Sequence, residues 1–552
     1  MAKPTTFQYM MRFLPPLLAI LSGGLLALCY PRWNIEEMVW LWAFPLMVAL
    51  WWLPVKKRRR RFRRGFGLGY LAGIVFFGIN FSWISNVTVL GAIILPFYLG
   101  LYVAVWGGIA ATAGRPRDGK LHVPEGEAPG RFAMVGASGH ALRCAFLNAA
   151  AWVGLEWLRG WVFTGFGWNG LGVAFHDNLN LIQIADIVGV TGLSFLPIFA
   201  GSVLLTTVRR FQLEIRHQQL RPHLDFGIAL ATVAGTFLYG LGHTLKPPSE
   251  GTDLKCVMVQ LAVPQEEKWD PSNALGIVRE FEQFTTTYVE STNPDLVLWP
   301  ESSLPSPLFV DPGNGVFLNR ILSKGEFALM LGANDVDFES ENAFKAYNAA
   351  ALMAGSFDSP ELQVYHKSHL VPFGEFVPFR DALPFLDAWF KHVVPADFDR
   401  GRSTEPLQFP GKPLQVVPLI CFEDTVGRLA RKFIRPESQF LVNVTNDGWF
   451  RQSPAAEQHV ANARFRCVEL RRPMARACNT GVTCLIDDRG RVTAILNDPE
   501  SGVFVKGALA STLRVPSDPP MTFYARFGDV FTFIVSACAL VLILLYRRSS
   551  SS

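Results

Sequence analysis

Leu414-Gln415-Val416-Val417-Pro418-Leu419-Ile420-Cys421-Phe422-Glu423-Asp424-Thr425 reads as an apolar strand that closes on a cysteine and then turns. Residues 426–434 follow with a helical pattern. A thiol at a strand-to-helix bend is lifted clear of the strand, and the N-terminus of the helix favours its ionised form. The same bend exposes the serine of a nucleophile elbow. Taken alone, a cysteine at the end of an apolar strand reads more simply as a core residue, so its surroundings must decide.

Outward from this bend, strand patterns occur at 256–261, Leu296–Trp299, 328–332, 440–444 and 483–486, and helical patterns at Ala274–Thr292 and 457–471. Short β-rich runs alternating with helices predict a layered α/β domain. Two of its strands end on charges. Glu301 closes Asp295-Leu296-Val297-Leu298-Trp299-Pro300-Glu301, where a carboxylate can act as general base. Lys367 lies in Val364-Tyr365-His366-Lys367-Ser368-His369-Leu370, where a fixed ammonium can stabilise an oxyanion. Each charge alone also reads as a surface residue or an ion-pair member.

On either side of this domain the composition changes. Half of the 552 residues are hydrophobic and only 18% are charged, and the uncharged runs fill roughly the first 245 positions and recur near the C-terminus. A bilayer core about 30 Å thick needs about 20 apolar helical residues. Runs near 13–30, 37–54, 66–85, 88–113, 143–160, 184–207, 226–243 and 527–546 therefore predict a polytopic α-helical membrane bundle of about eight spans. Basic residues at 56–64, 115–143, 209–221 and 547–548 fall on one side if the N-terminus is cytoplasmic. That alternation puts both termini in the cytoplasm and the α/β domain outside it. Trp33, Trp40, Trp42, Trp51 and Trp52 read as interfacial anchors.

The net charge of +5 comes from Lys and Arg beside apolar runs, which argues against a nucleic-acid partner. The eight cysteines include no CxxC pair and no cluster with histidine, so no metal site is expected. The five cysteines of the α/β domain, Cys256, Cys421, Cys467, Cys478 and Cys484, leave at least one unpaired within the chain. Leu28, before Cys29, is too large for a lipoprotein cleavage site, so the first span reads as an uncleaved anchor.

Three segments, WPES at 299–302, YHKSHLVPFGEFVP at 365–378 and PLICFED at 418–424, resemble the Glu-Lys-Cys signature of the nitrilase superfamily. Flanked by spans on both sides, they resemble the apolipoprotein N-acyltransferases in particular. Val259-Gln260, Pro264-Gln265, Trp269, Thr445-Asn446-Asp447-Gly448-Trp449-Phe450, Glu156-Trp157-Leu158-Arg159-Gly160 and Thr522–Asp529 add to the match. The resemblance implies an α-β-β-α sandwich over residues 246–520, between a helical domain at 1–245 and a last helix and tail at 521–552, in a bacterial inner membrane with the sandwich periplasmic. It implies Glu301 as base, Lys367 as oxyanion stabiliser and Cys421 as nucleophile, supported by Glu375 and Glu423, with Trp269 and Phe422 facing substrate. Phe422 stands where many relatives carry tyrosine. The implied reaction moves an acyl chain from a membrane phospholipid, through a thioester, to the α-amino group of a diacylglyceryl-cysteine apolipoprotein, with no cofactor.

Three other readings are open to the same residues. A membrane-tethered amidase would deliver the thioester to water. A transporter would use the intramembrane charges Glu156, Arg159 and Asp186. A Cys-His mechanism would draw on His366, His369 or His459. Apolar residues of 370–379 and 384–390 are candidate lids or lipid contacts.

Overall fold

A computed structural model of the chain describes residues 6–52, 58–121, 131–216, 222–268, 270–340, 343–380, 382, 394 and 396–548. The chain divides into two compact units, Met1–Leu245 with Asp529–Ser552, and Lys246–Gly528.

The first unit is helical. Its longer helices are α1 (Thr6–Ala27), α2 (Ala43–Trp51), α3 (Arg58–Asn80), α4 (Val89–Ala110), α5 (Arg131–Arg159), α6 (Ala185–Leu193), α7 (Phe195–Arg216), α8 (Leu224–Thr244) and, from the C-terminus, Val530–Arg548. Helices α3 and α4 approach closely because Gly65 faces Gly107: a Cβ on Gly65 would lie 2.4 Å from the Gly107 carbonyl oxygen. Small residues permit this backbone contact, which dispersion and not water exclusion rewards in an apolar medium.

Among the described residues, α4 and α8 are long and apolar enough to cross a bilayer, and α6 with α7, bent by 62°, makes a third if counted as one span. The expected eight spans are thus not all recovered as span-length apolar helices. The run at 37–54 breaks into a 3-10 turn, Glu36–Trp40, and the nine-residue α2. Nine residues rise about 13.5 Å, less than half of the hydrocarbon thickness. Helix α3 opens on a run of arginines, and α5 carries Arg143, Asn148, Glu156 and Arg159.

Those polar groups have partners inside the unit. Glu156 accepts from Trp152 Nε1 at 3.1 Å, the Leu171 amide at 2.8 Å and Ser194 Oγ at 2.5 Å. Arg159 donates to the Trp168 carbonyl at 2.9 Å, and Tyr239 donates to Asp186 at 2.9 Å. Trp42 and Trp51, expected as interfacial anchors, are instead buried: Trp42 packs 5.1 Å from Trp152, and Trp51 Nε1 donates to the Ala110 carbonyl at 3.1 Å.

The second unit contains two six-stranded sheets. One has the order β12-β1-β2-β3-β4-β5, with β1 Gly251–Gln260, β2 Leu296–Trp299, β3 Ala328–Ser340, β4 Ala343–Ala354, β5 Gln363–His366 and β12 Gly507–Pro516. The other has the order β11-β10-β9-β8-β7-β6, with β6 Leu407–Gln408, β7 Gln415–Ile420, β8 Gln439–Thr445, β9 Met474–Cys478, β10 Cys484–Ile486 and β11 Val492–Ile495. In each sheet the three central strands are parallel and their outer neighbours antiparallel. The sheets face one another, β3 against β8 and β4 against β7.

Strand alternation sets what each face buries. Val257, Val259, Val297, Trp299, Leu329 and Leu331 point from the first sheet into a core shared with Ile277, Phe281 and Val289 of α9 (Ala274–Thr292) and Phe317, Leu318 and Ile321 of α10 (Pro312–Leu322). Phe281 stacks on Trp299 at 4.7 Å, and the indole NH donates to Thr285 at 3.0 Å, so this large ring is buried without an orphaned donor. α11 (Ala455–Leu470) is buried along nearly its whole length.

The expected helix at 426–434 does not form as one piece. A 3-10 turn, Cys421–Thr425, is followed by a four-residue helix, Gly427–Ala430, and a second 3-10 turn, Arg431–Phe433. A single helical turn supplies too few aligned peptides to act as the dipole inferred from sequence.

Candidate active site

The parallel strands β2 and β7 deliver Glu301 and Cys421 just beyond their C-terminal ends, where ligand sites of parallel sheets gather. Lys367 follows β5 directly. Cys421 is half-buried and has a left-handed φ of 52°, so the chain folds back on itself at the thiol. Ser302, after the carboxylate, also has φ 52°.

The two strand-end charges meet through two further side chains. Lys367 Nζ donates to Glu375 Oε1 at 2.8 Å and lies 3.7 Å from Glu301 Oε1. Asn348, in β4, donates from Nδ2 to Glu301 Oε1 at 2.7 Å and to Glu375 Oε1 at 2.8 Å. The other oxygen of Glu375 accepts the Val371 amide at 2.8 Å. Glu301 Oε2 is buried and has no hydrogen-bond partner among the described residues. A buried carboxylate oxygen without a partner costs free energy, and a chemical role is one reason a fold retains it.

Electrostatics order the protons. Burial by itself disfavours the Lys367 ammonium, but Glu375, Glu301, Cys421 and Glu423 outweigh it and hold its pKa above that of an ordinary lysine. Burial pushes the Cys421 thiol up, Glu301 adds to the rise, and Lys367 and Thr445 oppose it. The resting sulfur is therefore a thiol, whereas the sequence reading expected helix-favoured thiolate.

Glu423 ties the cysteine turn to the lysine turn. Its carboxylate accepts the amides of Ile420 at 3.0 Å, Ser368 at 2.8 Å and His369 at 2.9 Å, and the Tyr365 hydroxyl at 3.0 Å. Burial raises its pKa, and Lys367 with these amides opposes the rise. Behind the turn, His459 bridges Asp447 at 2.7 Å and Asp424 at 2.8 Å, and Arg476 reaches Asp447 at 3.2 Å. Burial disfavours the charged ring, yet the two aspartates outweigh it and lift His459 to about 9. An imidazolium held between two carboxylates is no general base for a cysteine, so the Cys-His reading loses this candidate. His369 is pushed down to about 3, by burial and then by Arg428, Lys367 and Arg400. His366 pairs with Asp335 at 2.7 Å.

Two stretches of this chain match family descriptions: residues 22–203 the apolipoprotein N-acyltransferase N-terminal domain, and residues 259–508 carbon-nitrogen hydrolase. The apolipoprotein N-acyltransferase of Geobacter metallireducens is 33% identical over 548 residues, 97% of this chain and 96% of that protein.

The chain belongs to the apolipoprotein N-acyltransferase family.

The apolipoprotein N-acyltransferase of Rhodopseudomonas palustris is 29% identical over 568 residues, 97% of this chain and 96% of that protein. An amidase from Nesterenkonia sp. aligns with 51% of this chain and 95% of its own at 17% identity and a TM-score of 0.34. The carbon-nitrogen hydrolase match, residues 259–508, falls within the second unit, where the nitrilase-like domain was expected.

Of the family residues expected from sequence, Glu301, Lys367, Glu375, Cys421 and Glu423 gather in one site. Phe422 is buried and its ring stacks on His369 at 5.9 Å. Trp269 lies outside the described residues, as does 384–390. Asn348 went unnoticed in the sequence: an asparagine inside the strand run Tyr347-Asn348-Ala349-Ala350-Ala351 gives only the weak signal of an amide that must be buried.

Proposed function

We propose that this protein transfers an acyl chain from a membrane phospholipid to the α-amino group of a lipoprotein's N-terminal diacylglyceryl-cysteine, using Cys421 as nucleophile, Glu301 as general base and Lys367 as oxyanion stabiliser. The observation that carries the residue roles is the meeting of a thiol held protonated, a carboxylate oxygen with no partner and a fixed ammonium.

In the first half-reaction, Glu301 Oε2 takes the thiol proton as sulfur attacks the ester carbonyl. The ammonium of Lys367 faces the charge that develops on oxygen. Collapse expels the lysophospholipid alkoxide, which takes the proton back from Glu301, and leaves a thioester on Cys421. In the second, the free amine attacks the thioester, Glu301 accepts its proton, and sulfur leaves and is reprotonated. A covalent relay suits two bulky lipids that need not be bound together. Glu375 and Asn348 hold Lys367 and Glu301 apart, and Glu423 holds the two turns in register.

The same proposal reads residues 1–245 and the C-terminal helix as a polytopic bundle of about eight crossings in a bacterial inner membrane, with cytoplasmic termini and residues 246–520 periplasmic. Helices of 19 to 29 residues in the first unit support it, as does the alternation of the basic loops.

The deciding experiment incubates the purified full chain with phospholipid and a diacylated lipopeptide. Acylated peptide, and a mass shift on Cys421 that is lost in Cys421→Ala, are expected. Release of free fatty acid alone would make the protein a hydrolase.

A further inference from the structure

Glu301 is followed by a left-handed residue, Ser302, with φ 52°. Pro300's carbonyl already accepts Ser303 Oγ at 2.5 Å and the Gly332 amide at 3.2 Å. The Ser303 amide donates back to Gly332 at 2.7 Å. Glu301's own carbonyl receives Lys268 Nζ at 2.7 Å. Lys268 closes the four-residue helix Gln265–Lys268 and is 8% exposed, so its ammonium has left water to make that bond.

We propose that Lys268 is a positioning residue for the general base: its ammonium fixes the Glu301–Ser302 peptide and so aims the carboxylate at Cys421. The inference rests on the assignment of Glu301 as the base.

Two features set this lysine apart from an ordinary buried ion-pair member. It bonds the backbone of the base and not the carboxylate, so it can hold Glu301 without occupying the oxygen that must accept a proton. It is also a second cation on the same residue: Lys367 Nζ lies 3.7 Å from the Glu301 carboxylate, and Lys268 Nζ lies 2.7 Å from the Glu301 carbonyl oxygen. Burial pushes Lys268 down to about 8, against the pull of the Glu301 carboxylate and of Cys478, the charged or titratable groups acting on it. Its charge is therefore present at neutral pH and fades on mildly alkaline titration. Around Glu301 the other groups are Lys367, Glu375 and Cys421.

The test compares Lys268→Met and Lys268→Arg in the full chain, following thioester formation on Cys421 from phospholipid in a single turnover between pH 5 and 9. The methionine variant should acylate about tenfold more slowly at neutral pH, a change of one decade in rate. It should also lose the alkaline limb of the profile, the decline in rate expected of the wild type as Lys268 gives up its proton above about 8. Arginine, charged across the whole range, should push that limb to higher pH while recovering only part of the rate. Methionine acylation at the wild-type rate with the same pH profile would overturn the proposal. So would a loss that merely tracks reduced folded protein, read from thermal unfolding, with the limb unmoved. A wild-type chain that forms no thioester on Cys421 would instead refute the assignment on which the inference rests.

Discussion

The Lys367 ammonium and the Glu301 carboxylate stand 3.7 Å apart, Nζ to Oε1, both buried. At that distance the two charges attract one another without a short hydrogen bond between them. The short bond of Lys367 goes to Glu375 at 2.8 Å. Glu375 thus holds the lysine while Glu301 is left for the base role proposed for it, a division of tasks between two carboxylates.

Replacing Glu375 with Gln removes the anion that holds Lys367. The ammonium is then expected to close on Glu301 and mask the base, lowering single-turnover acylation of Cys421 by about a hundredfold, the scale on which a positioned base contributes. A wild-type rate in Glu375→Gln would show that the division of tasks is unnecessary.

Gly332 lies against Glu301, the proposed base. A Cβ there would come 2.5 Å from Glu301 Cα and 2.8 Å from the Pro300 carbonyl oxygen, both backbone atoms that cannot swing away. Gly332→Ala should therefore displace Glu301 and cut acylation by at least tenfold. Its thermal unfolding should shift less than its rate, which a paired measurement on the purified chain would check.

Glu423 accepts three amides and a phenol. Glu423→Gln turns one acceptor into a donor facing other donors. The expected cost is about 2–3 kcal/mol of stability, with the turns of Cys421 and Lys367 loosened together. A lowered melting temperature accompanied by slower acylation is the predicted pair; Tyr365→Phe, which removes only the phenol, should show a smaller form of both.

His459 supplies the pH dependence. An ordinary imidazole titrates near 6.5 and this one near 9, so its contribution to stability is fully present below about 6.5 and is lost as pH rises through about 9. The scale is on the order of 3 kcal/mol. Thermal unfolding of the wild-type chain should fall across that window. His459→Gln should be less stable at neutral pH and show a flatter profile over the same range.

Much of this was legible locally. Leu296–Trp299 and Gln415–Ile420 are largely apolar runs without alternation, typical of strands buried on both faces, and each is followed within two residues by a charge or a thiol. Ala274–Thr292 has the apolar spacing of a helix lying on a sheet. The helix expected at 426–434 failed because its apolar residues, Val426, Leu429, Phe433 and Ile434, pack from separate short turns. Helical spacing cannot distinguish that from one continuous helix.

The order of Glu301, Lys367 and Cys421, each at the end of a strand, was determined by the sequence alone, because strand patterning is a property of neighbouring residues. The protonation of Lys367 and Cys421 was decided only by tertiary structure. Asn348 meets Glu301 across 47 positions of chain, and Lys268 reaches Glu301's carbonyl across 33. The thiol was expected to be favoured as thiolate by a helix and is instead raised by burial and by Glu301. Charge and desolvation act through space, and the distances that set them exist only once remote strands have come together.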